Sequence, residues 1–161
     1  MIQYRINSKM QALMENNSIS VDAKEKMSAS LKRLLEEDIL IVDSCYYFKR
    51  EFMRYDDRYT NKTGNECFGN RLIIEFENRN NEKGLLFYLK QGIAFSNMVA
   101  RKLEDFNENF TLILMIFDKT SIVFRFHKTR GGEEWLIPDI EQYAEPFFVI
   151  DVLSSPEAHG F

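Results

Sequence analysis

The residues with the most chemical capacity in this chain are crowded towards its C-terminal end. Residues 131–161 hold seven carboxylates, Glu133, Glu134, Asp139, Glu141, Glu145, Asp151 and Glu157, and neither Lys nor Arg. A pair drawn from Glu133, Glu134, Asp139 and Glu141 has the residue types of glycoside hydrolysis, where one carboxyl protonates the leaving oxygen and the other serves as base or nucleophile. That chemistry demands a fixed separation, and clustered acids on a polar stretch are ordinarily solvated. Nucleophilic hydrolysis needs a base beside a hydroxyl or thiol, and the chain offers only His127 and His159 as imidazoles. His159 is nearly terminal. His127 follows the strand-like run Phe124-Arg125-Phe126 and reads as a sheet-edge histidine with a satisfied hydrogen bond. A structural zinc needs about four ligands, and Cys45 and Cys67 with two histidines form no metal motif and no disulfide framework. Both cysteines read as reduced thiols. Neither Gly-x-Gly-x-x-Gly nor Gly-x-x-x-x-Gly-Lys-Ser/Thr occurs, so the common phosphate-cradling loops are absent. The sequence predicts no enzyme, no cofactor and no metal.

Recognition is the better use of these residues. Removing the seven acids from the total of 25 leaves 18 against 21 Lys and Arg, so the first 130 residues are slightly basic and the remainder strongly acidic. Asymmetry of this kind makes a one-signed field, which steers partners of the opposite sign. The favoured partner is basic. Trp135 and Tyr143 supply aromatic anchors among Glu133, Glu134, Asp139 and Glu141, the mixture that concentrates binding energy at interfaces. Asp56 and Asp57 extend the acidic surface from a separate loop. A second possibility is single-stranded nucleic acid, because Tyr46 to Tyr59 interleaves aromatics with Lys49, Arg50, Arg54 and Arg58 in the way that stacking platforms are built. A pI near 5.3 opposes it, since such binders carry a basic footprint. Nucleic acid is the disfavoured partner.

These residues must be positioned by one domain, 1–161. At 161 residues such a chain buries roughly 68–70% of its unfolded surface. Residues 1–37 read as a helical hairpin: Ile6, Met10, Leu13 and Met14 line a first helix that breaks at Asn16-Asn17-Ser18, and Asp22 to Glu37 forms a second, capped by Asp22. Residues 39–152 read as a sheet with an inserted helix. Ile39 to Tyr55 fits strand or helix and is taken as strand; Asp56 to Asn70 reads as a long loop. Residues 71–77 and 84–89 read as a β-hairpin, Ile93 to Phe106 as the helix, and residues 110–117 with 121–126 as the clearest hairpin. Phe147 to Val152 is the last strand, and residues 153–161 a loose tail. The predicted fold class is α+β, a mainly antiparallel sheet of five to six strands with N-terminal helices and one inserted helix. No window approaches 18 consecutive apolar residues and no apolar leader follows Met1, which predicts a cytoplasmic protein that meets no membrane.

Phe124-Arg125-Phe126-His127, Gly132-Glu133-Glu134-Trp135-Leu136, Asp139-Ile140-Glu141-Gln142-Tyr143 and Glu145-Pro146 together resemble the C-terminal part of bacterial immunity proteins. More specifically they are similar to the small cytosolic antidotes of contact-dependent growth inhibition systems. The resemblance covers about a quarter of the chain. It implies a non-catalytic inhibitor that neutralises one cognate toxin, expected to be a basic nuclease domain whose cleft an acidic surface can occupy. The partner-binding residues expected on charge and aromatic placement are Glu133, Glu134, Trp135, Asp139, Glu141, Tyr143, Asp56 and Asp57.

Overall fold

The computed structural model describes residues 1–49, 61–74, 82–119 and 121–156. Strands β1 (Ile2–Ile6), β7 (Phe147–Val152), β5 (Phe110–Phe117), β6 (Ser121–Lys128) and β4 (Leu72–Ile74) lie in that order in one sheet, every pairing antiparallel. β2 (Ile39–Val42) and β3 (Cys45–Phe48) form a separate hairpin. The helices are α1 (Ser8–Asn16), α2 (Ala29–Glu36), α3 (Lys62–Gly69) and α4 (Glu82–Glu104). The fold is α+β with a mainly antiparallel sheet, as the sequence predicts.

Strand periodicity of two divides the five-stranded sheet cleanly. On its inner face Leu112, Leu114, Phe124, Phe126, Phe148 and Ile150 are buried in the main core together with Leu89, Ile93, Val99, Ala100 and Leu103 of α4. The aromatic centre is tight: Phe48 meets Phe126 edge-on at 5.0 Å, and Phe95 meets Phe124 at 5.1 Å. The outer face carries the alternate residues, among them Ile113, Phe147 and Val149, which form a smaller apolar cluster with Ile140.

Several local readings are corrected. Ile6 ends a strand and not a helix turn; Ile2, Tyr4 and Ile6 alternate onto the core beside β7, and α1 starts only after Asn7. The second helix starts at Ala29, capped by Ser28 Oγ, which accepts from Leu31 N, so Asp22 is no cap for it. Residues 50–55 lie outside the described residues, and where Ile39 to Tyr55 is described the strand reading holds, as a hairpin over residues 39–48. Asp43 (φ 51°) and Ser44 (φ 62°) make its two-residue turn, with the paired positive φ values that match strand twist. The expected loop 56–70 contains α3, capped by Asn61 Oδ1, which accepts from Gly64 N at 2.7 Å. Residues 84–89 lie in α4, so they form no hairpin with residues 72–74, and the inserted helix starts at Glu82 and not at Ile93. The tail is tied as far as it is described: Leu153 N donates to Met1 O, Ser154 N to Asn109 Oδ1 and Ser155 N to Asn107 Oδ1. Among the described residues no helix is long and apolar enough to cross a membrane.

Candidate functional site

The chain between β6 and β7 folds back over the outer face of the sheet. Its path is set by side chains that the sequence marks as acidic surface. Glu141 accepts from Ser8 N at 2.6 Å and Ser8 Oγ at 2.7 Å, so it satisfies an open N–H at the start of α1, where negative charge is favoured by the helix dipole. Asp139 Oδ1 accepts from Glu141 N and caps the 3-10 turn Ile140–Gln142. Tyr143 stacks on Phe147 with centroids 4.3 Å apart, and its hydroxyl accepts from Ile137 N. Asn7 is almost wholly buried and makes four bonds: Oδ1 accepts from Met10 N and Phe147 N, and Nδ2 donates to Ile140 O and Glu145 O.

The near end of the same segment is anchored by a buried ion pair. Glu66 of α3 is fully buried and accepts from Tyr46 N at 2.7 Å, Lys128 N at 3.2 Å and Arg130 Nη1. Burial pushes its carboxyl up, opposed by the hydrogen bond from Arg130 and the two backbone donors. Arg130 also donates to Ser44 O at 2.9 Å and to Thr63 Oγ1 at 3.2 Å. One guanidinium therefore joins the β2–β3 turn, α3 and the end of β6. Glu133 follows, accepting from Lys62 N at 3.1 Å and lying 3.9 Å from Arg130 Nε.

Between these anchors the loop lifts away from the sheet and leaves a cleft of about 350 Å³. Its wall is Gly131 to Pro138 and its floor includes Thr111, His127 and Thr129. The floor is polar because one cross-strand row is polar: Thr111 of β5 faces His127 on one side and Asp151 on the other. Thr111 and Thr129 hydroxyls are 2.9 Å apart, and Arg5 holds Asp151 through two bonds of 2.6 and 3.0 Å. His127 is 4% exposed; its Nδ1 lies 2.8 Å from Lys128 O. A carbonyl only accepts, so Nδ1 carries the proton and Nε2 is an acceptor. Burial, the largest cause, holds the imidazole below its ordinary pKa.

Trp135 stands at the rim, 37% exposed, with the Arg125 guanidinium 5.5 Å from its ring centroid. It lines this cleft and a smaller one of about 250 Å³ shared with Tyr143, Phe147 and Met115. Glu134 is exposed beside it and Ile137 is exposed beyond.

The structure thus sorts the expected residues. Glu133, Glu134 and Trp135 come together on one cleft; Tyr143 shares the second with Trp135; Asp139 and Glu141 are exposed but hold the loop and α1 in place. Asp56 and Asp57 lie outside the described residues. So do Arg50, Arg54 and Arg58, while Tyr46, Tyr47 and Phe48 of the same basic-aromatic segment are buried. His127 lies beyond the β4 pairing, which reaches only Phe124 of β6, so among the described residues no strand pairs β6 on that side; its ring is buried on the outer face and its Nδ1 is bonded to Lys128 O. Glu66, Arg130, Thr111 and Asp151 were missed as neighbours, although the alternation Val123, Arg125, His127 opposite Phe124, Phe126 already puts His127 on the outer face.

Nucleophilic chemistry has little support in this arrangement. Cys45 and Cys67 are free and buried, and desolvation pushes both thiols up, away from the reactive thiolate. Among the described residues no group of three or more His, Cys, Asp or Glu is placed to hold a metal. Compared with known proteins, the chain is matched over residues 5–158 by the model of a family described as Uncharacterized protein PM0498 family. No curated protein and no solved structure matches it.

Proposed function

The chain belongs to the Uncharacterized protein PM0498 family, and on its surface features we propose that it is a non-catalytic binding protein of the toxin–immunity kind, which neutralises a basic partner through the Glu133–Tyr143 surface. The observation that carries this reading is the placement of Trp135. It is the only tryptophan of the chain, and it stands outside the core at the rim of two clefts, next to the exposed Glu134. A large aromatic held at the surface among carboxylates is the composition of an interface centre, where Trp, Tyr and Arg dominate. The surrounding bonds from Glu141, Asp139, Tyr143 and Arg130 fix the loop, so little ordering entropy opposes docking.

The inhibitor acts by occupation. Its carboxylates stand where the phosphates of a nucleic-acid substrate would lie, and the partner's basic cleft is filled. The test is capture with the tagged chain from cells that make it natively, followed by assay of the captured protein's toxic activity with and without the chain. One basic protein recovered in stoichiometric amount, inactive while bound, and lost when Trp135→Ala is the bait, is the expected result. Recovery of nucleic acid, or of a basic protein whose activity is unchanged on binding, overturns the reading.

A further inference from the structure

We propose that the cleft between the Gly131–Pro138 loop and the sheet is a receptor for one arginine side chain of the partner, a proposal that rests on the partner-binding reading above. The argument starts from the floor. A sheet face roofed by Ile140, Leu136 and Tyr143 is apolar where the loop touches it, yet beneath the cleft it changes to Thr111, His127 and Thr129. Buried polar groups are ordinarily satisfied. Nδ1 of His127 is satisfied by Lys128 O, while Nε2 has no partner among the described residues. Nε2 is thus an acceptor on a buried ring that lines the cleft, where a donor entering from outside can reach it.

Charge makes that donor a cation. The lining contains two arginines, and both are already committed. Arg5 gives Nε and Nη2 to Asp151. Arg130 gives its donors to Glu66, Thr63, Lys128 O and Ser44 O. The lining itself sets Glu133 and Glu134 against these two arginines, but Asp151 and Glu66, which do not line the cleft, already pair with Arg5 and Arg130, and this leaves the two glutamates in excess. An anion entering here would meet the carboxylates of Glu133 and Glu134 and two arginines that each already hold a carboxylate. Glu133 is only loosely held by Arg130, at 3.9 Å, and Glu134 makes no ion pair among the described residues.

Geometry then favours guanidinium over ammonium. A guanidinium presents five donors in a plane, suited to a carboxylate on one edge and an isolated acceptor on another, and the cleft offers Glu134 with Glu133 and then His127 Nε2. Its flat face also suits the Trp135 ring at the rim. The volume of about 350 Å³ sits at the low end of small-molecule sites, which run from about 300 to 1,000 Å³, and leaves room for an inserted arginine side chain.

Trp135 is a built-in reporter. The full chain is titrated with Nα-acetyl-arginine amide while tryptophan fluorescence is followed, with Nα-acetyl-citrulline amide as the uncharged isostere. The expected result is a saturable change with the arginine probe, none with citrulline, and binding about fivefold or more weaker in Glu134→Gln, the size of a lost charge-assisted bond. His127→Phe, which removes the acceptor and keeps a ring, weakens the probe similarly, with near-ultraviolet circular dichroism checking that the core is intact. No saturable change, an equal response to citrulline, or saturation by inorganic phosphate instead overturns the proposal. The two readings fail separately. A basic partner captured by a chain that ignores the arginine probe overturns the cleft and leaves the acidic surface, whereas a chain that binds the probe and captures no basic protein overturns the partner.

Discussion

His127 is the one imidazole among the described residues, and its surroundings fix the sign of a pH effect. The folded protein holds it neutral with a pKa lowered by burial, while the unfolded chain returns it to about 6.5. Below that value the unfolded state binds the proton first, so stability present at neutral pH is lost as pH falls beneath about 6.5 towards the folded pKa. Glu66 acts in the opposite direction, since its raised pKa makes the folded state bind a proton more readily as pH falls towards the carboxylate range. Substitution separates the two. Urea midpoints measured from about pH 8 to pH 5 should decline for the native chain, and His127→Gln should remove part of that decline. An identical pH profile in the variant would show that the ring is not kept neutral by folding.

At the scale of elements, α3 is held by polar groups and not by an apolar stripe. Thr63, Asn65 and Glu66 are buried with Cys67, and Asn70 at its end donates to Tyr46 O and Phe126 O while accepting from Phe48 N. Gly69 is a further constraint, because a Cβ there would lie 2.9 Å from the Tyr47 ring. The Glu66–Arg130 pair closes the arrangement. Glu66→Ala leaves Arg130 buried without its carboxylate and is expected to cost about 3–5 kcal/mol, read as a lowered denaturant midpoint with an unchanged slope. A loss below about 1 kcal/mol, the scale of an exposed pair, would mean that Arg130 finds water. This construction also explains what the sequence conceals. Asn61-Lys62-Thr63-Gly64-Asn65 are mostly poor helix formers, and only the buried bonds to β3 and β6 make a helix of them. The start of α4 is hidden for another reason. Leu85-Leu86-Phe87-Tyr88-Leu89 fits a buried strand as well as a helix, and only the stripe Leu85, Leu89, Ile93, Ser96, Ala100, Leu103 decides. By contrast β5, β6 and β7 are legible directly, because alternation and turn residues agree there. At the candidate site, the acids and Trp135 are legible as surface, but the difference between Glu141, spent on Ser8, and Glu134, exposed at the cleft, is a matter of long-range packing.

For the molecule as a whole, the acidic C-terminal segment is spread over the outer face of the sheet instead of trailing from it, so its field is presented from a rigid surface. Attraction of this kind acts mainly on the rate of encounter and is screened by salt. Charge reversal at Glu134 and Asp139 is expected to slow association with the captured basic partner by about tenfold or more at low salt and to flatten its dependence on ionic strength, as read by stopped-flow mixing. Rates that are unchanged at low salt would place the interface elsewhere. Trp135→Ala, by comparison, should act on dissociation.

The pairing of β1 with β7 sets Ile2 opposite Val152 and Ile6 opposite Phe148. Ribosomes release a chain from its N-terminal side, so β1 is made long before its partner β7. Ile2, Tyr4 and Ile6 have no seat in the sheet until β7 has emerged, and the nascent chain carries an unmated strand until then. The edge of the sheet at β1 therefore closes late in folding, because its pairing spans a sequence separation of about 150 residues and non-local pairings of this kind are slow to form.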